Sequence, residues 1–378
     1  MDLELTDIQR MVRDTARDFA RREIAPRAAG IDRDGHIPRE LLVGLAELGL
    51  MGVNVPDEVG GAAAGTVAYS LALTEVARAC ASTAVTMAVT NMVGEVIAAF
   101  GTDAQRKRYN PRICAGEIVG AFGLSEAEAG SDAGSMTTSA RRDGDAWVLD
   151  GSKQWISHAD EAGVIVIWAR TGGPGSRGLS CFLVDRDAPG LTVPRHEEKM
   201  GLNGSHTCAV VLDAVRVPAG ALLGEEGGGF RVAMMALDGG RIGIASQAVG
   251  IGEAALEAAT AYAKDRKQFG SPIADFQAIQ WMIADSRTEL DAARLLALRA
   301  AHMKDQGVRF SKEASMAKLF ASEAAWRVCN RAVQIHGGYG YTRELAVERH
   351  FRDVRVAQIY EGTSEVQRLV ISRLVLAE

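Results

Sequence analysis

At 378 residues, with 47% hydrophobic and 24% charged residues, the chain is an ordinary globular sequence, long enough for roughly two to three domains with their own cores. Its 42 basic and 48 acidic residues give a net charge of -6 and form no basic run, which argues against a surface for nucleic acid or an anionic membrane. Any anionic ligand has to be held locally. The five cysteines (Cys80, Cys114, Cys181, Cys208, Cys329) are odd in number and never spaced Cys-x-x-Cys. Buried free thiols in a reducing compartment are expected, rather than disulfides or zinc. The seven histidines form no His-x-x-x-His pair. The acidic opening runs straight into a helical pattern, unlike a signal or transit peptide, and no apolar run is read as reaching the length of a membrane span. A cytoplasmic protein is the expectation.

Residues 1–118 read as a helical domain. Thr6 with Gln9 is a capping box, and Ile8, Val12, Ala16, Phe19, Ala20 and Ile24 recur at helical spacing until Pro26, which is expected to stop the helix. Pro38 opens a second helix over 41–50. The stretch 66–100, rich in Ala, Val, Met and Thr, has the texture of helices buried on most sides, and Thr102 with Gln105 caps another short one. Near Gly120 the helical period disappears. Residues 119–226 read as a small β domain, with Asp143-Gly144 and Asp150-Gly151 as turns between short strands, and with further strands over 164–168, 179–184 and 209–217. Residues 227–378 return to helices, over 241–267, 276–306 and 311–334, separated by glycine-rich breaks.

The stretch 358–367, Gln-Ile-Tyr-Glu-Gly-Thr-Ser-Glu-Val-Gln, carries the chemistry. Ser364 with Gln367 reads as a capping box for a last helix, which places Glu361 on the turn just ahead of it. Apolar neighbours would raise the pKa of this carboxylate toward that of a usable base, and Gly362 would let a substrate approach the backbone. Taken alone, Glu361 reads more readily as an exposed loop glutamate.

Five motifs together resemble the acyl-CoA dehydrogenase family over essentially the whole chain: Leu124–Asp132 (Leu-Ser-Glu-Ala-Glu-Ala-Gly-Ser-Asp), Gln154-Trp155-Ile156-Ser157, Asp265–Gly270, Gln334–Gly340 and Tyr360-Glu361-Gly362-Thr363. The resemblance implies a mostly α fold with a middle β domain: an N-terminal helical domain, a small β-barrel-like domain and a C-terminal four-helix bundle, assembled as a homotetramer with one FAD per subunit. It implies α,β-dehydrogenation of an acyl-CoA thioester to the trans-2-enoyl-CoA, with Glu361 taking the α-proton and electron-transfer flavoprotein taking the electrons onward. Some relatives carry the base on the helix near residue 240, but here Gly239-Gly240 stands there and cannot take a proton.

Carried over position by position, Phe122, Leu124, Ser125, Gly130 and Ser131 match the loop along the flavin. Trp155 would flank the ring, beside Ile156, and Ser157 would hydrogen-bond N5. Arg266, Gln268, Phe269, Gln277, Gln334, Gly337 and Gly338 match contacts to the FAD tail, several of them reaching a neighbour's cofactor, and Thr363 and Glu365 match contacts beside the base. Ser131, Asp238, Arg241 and Gly362 match substrate contacts. Read alone, Arg266 is a solvated helix-end charge, Trp155 a core tryptophan, and Asp238 and Arg241 a helix-surface ion pair. The chain departs from the family in having His158 after Ser157 and Ala127 where a proline is usual. The stretch Leu237–Gln247 looks most like short-chain and branched-short-chain members, favouring a small acyl group in a pocket lined by 87–96 and 237–247. The alternatives are a same-fold flavin oxidase and a non-catalytic flavin- or nucleic-acid-binding member.

Overall fold

The computed structural model describes residues 4–378. Its first helix, α1 (Asp7–Phe19), starts at the expected capping box: Gln9 N–H donates to Thr6 Oγ1 at 3.3 Å, and Thr6 N–H donates to Gln9 Oε1 at 3.0 Å. Pro26 does not stop the chain. A π turn (Ala20–Ile24) and a 3-10 turn (Ala25–Arg27) carry it into α2 (Ala28–Asp34), because a proline in a first turn gives up an N–H that needs no partner there. Then follow α3 (Arg39–Glu47), α4 (Thr66–Ala79), α5 (Ala81–Phe100) and α6 (Asp103–Cys114), the last with the expected Thr102–Gln105 box. By length and composition α5 is apolar enough to cross a membrane, which corrects the sequence reading. Its most apolar window is 78% buried inside the protein, packed against α4, α6 and later elements, so it is a core helix.

The strands are β1 (Val119–Gly123), β2 (Ser139–Asp143), β3 (Ala146–Ser157), β4 (Ala162–Arg170), β5 (Leu179–Asp185), β6 (Leu191–Thr192), β7 (Thr207–Pro218) and β8 (Leu222–Leu223). They form one mixed sheet in the order β6-β7-β3-β2-β4-β5-β8, with β1 parallel to β4. Asp143-Gly144 closes the β2–β3 hairpin. Asp150-Gly151 is no turn; it lies inside β3, where the register with β7 shifts, and a Cβ on Gly151 would sit 2.7 Å from Thr138 Cα.

Beyond the sheet, α7 (Gly229–Asp265) begins at Gly229 rather than Arg241, running through Gly239 and Gly240. A hairpin of β9 (Lys267–Gln268) and β10 (Ser271–Pro272) leads to α8 (Gln277–Asp305), α9 (Ser311–His336), α10 (Val347–Val354) and α11 (Ser364–Val375). Helices α7, α8 and α9 pack on one another, and α11 packs on α9. Their shared core is rich in alanine, including Ala245, Ala255, Ala297, Ala317 and Ala325, whose small side chains bring the helix axes close. The result is an N-terminal helical domain, a middle β domain and a C-terminal helical domain. All five cysteines are buried and free.

Candidate active site

The sheet, α5, α7 and α11 enclose a cavity of about 1870 Å³. A single small ligand ordinarily occupies roughly 300–1,000 Å³, so this space has room for two side by side. Six cationic residues stand on its wall (Arg170, Lys199, Arg241, Arg352, Arg355, Arg373) against two acids, Asp132 and Glu361, which gives an acidic chain its local place for anions.

The turn before α11 is built differently from the sequence reading. Thr363, not Ser364, is the N-cap, its Oγ1 accepting from Val366 N–H at 3.3 Å. The buried Gln367 turns back, donating to the carbonyls of Gly362 at 2.9 Å and Glu361 at 3.2 Å. Lys318 of α9, wholly buried, donates to the same Gly362 carbonyl at 2.7 Å. These donors hold two successive left-handed residues, Glu361 at φ 51° and Gly362 at φ 88°. The left-handed conformation costs a residue with a Cβ about 1–2 kcal/mol, and it persists because the surroundings fix it.

Glu361 lies on the cavity wall, and its Oε2 is buried without a hydrogen-bond partner. Burial pushes its pKa up to about 7, against the opposing pull of the Lys318 and Arg241 charges. The carboxylate fits because of Gly240: a Cβ there would lie 2.0 Å from Glu361 Oε2. Arg241 lines the cavity, but Asp238 stands off the wall and serves Arg241, accepting from its Nη1 at 2.6 Å and from Ser311 Oγ. The ion pair that the sequence left open is therefore present. Gly362 is on the wall with Glu361.

Of the expected cofactor positions, Phe122, Leu124, Ser125, Gly130, Ser131, Trp155, Ile156, Ser157 and Thr363 all line the cavity. Trp155 adopts φ 65° and stays 60% exposed, a large flat surface left open at the cavity. Glu365 is off the wall and exposed. The Leu124–Asp132 segment is held from behind by a buried ion pair that the sequence did not signal. Lys153 Nζ donates to Glu126 Oε1 at 2.8 Å and to Leu124 O at 3.2 Å, and Glu126 also accepts from the N–H groups of Thr137 and Thr138. These bonds outweigh burial and bring the Glu126 pKa down to about 2. His158 is buried behind Ser157, its Nε2 2.6 Å from Thr86 Oγ1 and 3.0 Å from Ser205 Oγ, and burial lowers its pKa to about 4.

The remaining positions lie off the cavity wall. Arg266, Gln268, Phe269, Gln277, Gln334, Gly337 and Gly338 are all exposed, Phe269 to 96%, and the Arg266 guanidinium lies 5.8 Å from the centre of the Tyr339 ring. A Cβ on Gly338 would meet nothing within 4 Å and its φ is not left-handed, so the subunit's own fold gives no reason for glycine there. A surface group of His36, Asp160, Glu161, His196 and His206 brings possible metal ligands together. His206, however, already uses both ring nitrogens, on Asp160 and on Gly35 O.

Lys318, Lys153 and the ion pair of Glu126 escaped the sequence reading, and of these only Glu126 had a local signal, its place inside the Leu124–Asp132 motif. Gln367 reads from sequence as a capping partner and Gly240 as a residue that cannot take a proton, so the contact of each with the Glu361 turn emerges only in the structure.

Comparison with known proteins matches the chain to three models in succession: the acyl-CoA dehydrogenase N-terminal domain over residues 6–117, the middle domain over 121–215 and the C-terminal domain over 227–376. The mitochondrial short-chain specific acyl-CoA dehydrogenase of Bos taurus is 48% identical over 373 residues, covering 98% of this chain and 90% of that protein. Among solved structures, butyryl-CoA dehydrogenase from Megasphaera elsdenii superimposes with a TM-score of 0.97 at 41% identity, both chains being covered in full. A chain from the structure of the electron transferring flavoprotein of Acidaminococcus fermentans gives a TM-score of 0.98 at 42% identity, again over the whole of both chains.

Proposed function

The chain belongs to the acyl-CoA dehydrogenase family, and on that premise we propose that it removes the α- and β-hydrogens of a short-chain acyl-CoA, with FAD as cofactor and Glu361 as the base. One observation carries the reading: a buried carboxylate with no hydrogen-bond partner on one oxygen, its pKa near 7, stands on the wall of a cavity with room for a cofactor and a substrate together. A general base works best when its pKa lies near the operating pH, and a carboxylate already committed to a salt bridge would be too weak.

The residues fit FAD. The exposed Trp155 offers a flat face, the hydroxyls of Ser125, Ser131 and Ser157 line the same wall, and the cations along it suit phosphate. Bound there, FAD supplies the acceptor for the hydride that leaves the β-carbon. Glu361 then holds the α-proton at its unpartnered Oε2, Gly362 leaves the backbone open to the thioester, and the apolar α5 and α7 residues Val89, Met92, Leu237 and Ile244 keep water from the acyl group. The short chain preferred here rests on the Leu237–Gln247 stretch, supported by the names of the bovine and Megasphaera proteins.

The exposed residues Arg266, Phe269, Gln334 and Gly338 belong, in this reading, to a homotetramer in which they reach the FAD tail of a neighbouring subunit. Electron-transfer flavoprotein is the proposed electron acceptor, in keeping with the likeness to the Acidaminococcus chain. A reducing, cytoplasmic setting suits five buried free thiols.

The test is anaerobic mixing of the purified yellow protein with acyl-CoAs from propionyl and isobutyryl to octanoyl, following loss of the visible flavin band. Bleaching by a short acyl-CoA is expected, and a flavin that none of them bleaches would overturn the proposal. Glu361→Gln should keep the flavin and the ligand affinity while slowing bleaching ~10²–10⁴-fold, the usual worth of a positioned base; undiminished turnover in that variant would remove Glu361 from its role.

A further inference from the structure

We propose that Lys318 is the positioning residue of the base: from α9 its ammonium holds the Gly362 carbonyl, fixing the turn that carries Glu361, and it sets beside the carboxylate a positive charge that is not paired with it. This rests on the reading of Glu361 as the base.

Lys318 has no accessible surface, and its one hydrogen bond goes to a backbone carbonyl, not to an acid. Among the described residues it forms no ion pair within 4.0 Å. Burying an ammonium without a counter-ion costs several kcal/mol, and a methionine would fill the same space. Stability alone therefore gives no reason for a lysine. The geometry does. Two consecutive left-handed residues must be held, and the Gly362 carbonyl receives Lys318 from α9 and Gln367 from α11 at once. Both donors orient the turn, but only Lys318 brings charge.

The charged and titratable groups around this turn leave Lys318 with a distinct electrostatic part. Arg241 on α7 is already answered by Asp238. Tyr69 on α4 is buried and Tyr360 in the turn half-buried, and desolvation raises the pKa of both phenols well above the ordinary value, which keeps them neutral. Glu365 on α11 and Glu323 on α9 add only secondary pulls on Lys318, while Glu361 is the largest charge acting on it. Conversely, Lys318 is the first of the two cations that offset the effect of burial on Glu361. A direct ion pair would make the carboxylate a poor base, as the low pKa of Glu126 against Lys153 illustrates. Holding the ammonium on a carbonyl instead leaves Glu361 free to accept a proton, yet able to ionise near neutrality.

The experiment compares FAD-loaded wild type, Lys318→Met, Lys318→Gln, Gln367→Leu and Glu361→Gln in anaerobic single-turnover bleaching from about pH 6 to 10. Removing the charge in Lys318→Met should move the acid limb of the rate up by roughly one pH unit and lower the rate near pH 7 about fivefold, with substrate affinity within about threefold of wild type. The curves should approach each other above about pH 9, because the wild-type lysine, whose burial lowers its pKa to about 8, has by then lost its own proton. Lys318→Gln keeps a donor and loses the charge, so it should show the same shift if the methionine variant does not fold. Gln367→Leu should lower the rate at every pH without moving the limb. An unmoved acid limb in both Lys318 variants overturns the proposal, whereas wild-type bleaching by Glu361→Gln would bring down the assignment of the base itself.

Discussion

Among the described residues two lysines are buried, Lys153 and Lys318, and they are used in opposite ways. Lys153, in the β domain, meets Glu126 directly at 2.8 Å, and the carboxylate is further satisfied by two backbone N–H groups. Lys318, in the helical domain, stops at a carbonyl and leaves its neighbouring carboxylate with an unpartnered oxygen. The first arrangement pins the wall of the cavity. The second keeps a group reactive inside it. Direct bonds from Lys153, Thr137 and Thr138 bring the Glu126 pKa down to about 2, whereas burial without such bonds leaves that of Glu361 raised to about 7.

The comparison breaks most visibly at the anchor. Glu126→Ala leaves Lys153 buried and uncompensated, which should cost about 3–5 kcal/mol in urea unfolding and loosen FAD; a loss below about 1 kcal/mol would mean that Lys153 finds another partner. Replacing both residues together, Glu126→Leu with Lys153→Met, should recover most of that loss, as expected for a satisfied pair exchanged for apolar packing.

At the base, Gly240→Ala sharpens the contrast between stability and function. The added methyl meets the far end of a movable side chain, so the melting temperature should stay within a few degrees. The displaced carboxylate should slow bleaching ~10–100-fold, since about 1 Å of misplacement can cost that much. A variant with full activity would show that the carboxylate has other room.

The two acids should also give opposite slopes of stability with pH. The folded pKa of Glu361 is raised above the ordinary 4.5, so the folded state holds an extra proton. Its contribution is complete below about 4.5 and is lost as pH rises through 7, while activity climbs over the same interval. The folded pKa of Glu126 is depressed, so its contribution is present above about 4.5 and lost as pH falls toward 2. Melting curves of Glu361→Gln and Glu126→Gln against pH should each flatten one of these slopes; an unchanged profile in either case removes that residue as its source. The smallest effect is expected from Asp238→Asn. Leaving Arg241 less neutralised should lower the acid limb of the rate by a few tenths of a pH unit, and a limb that moves upward would contradict it.

Much of this was legible in the chain. Capping boxes at Thr6 and Thr102, helical spacing along α8 and α9, and the change of texture near Gly120 place most elements, because each rests on local preference. The misreadings come where packing overrides that preference. The helical pattern reads from Arg241, yet α7 starts at Gly229 and runs through Gly239 and Gly240, where glycine leaves the space that Glu361 fills. Asp150-Gly151 looks like a hairpin turn and is a bulge against Thr138. The Ser364–Gln367 spacing suggests a capping box, but the Gln367 side chain is drawn off by the carbonyls of Glu361 and Gly362. In the site, Glu361 and the cavity-lining loop are visible as motifs, whereas Lys153 and Lys318 belong to no motif. A single sequence does not distinguish a solvated lysine from one enclosed by segments distant along the chain.

The close fit of Gly240 against Glu361 also says something about how such a centre can change over generations. The point where the carboxylate rests can be reached from two segments, the turn before α11 and the middle of α7, but the space holds a side chain from only one of them at a time. A descendant that moved its acid to the helix would have to empty the turn first or accept an overcrowded intermediate. Gly240 is therefore as much a condition of this arrangement as the glutamate itself.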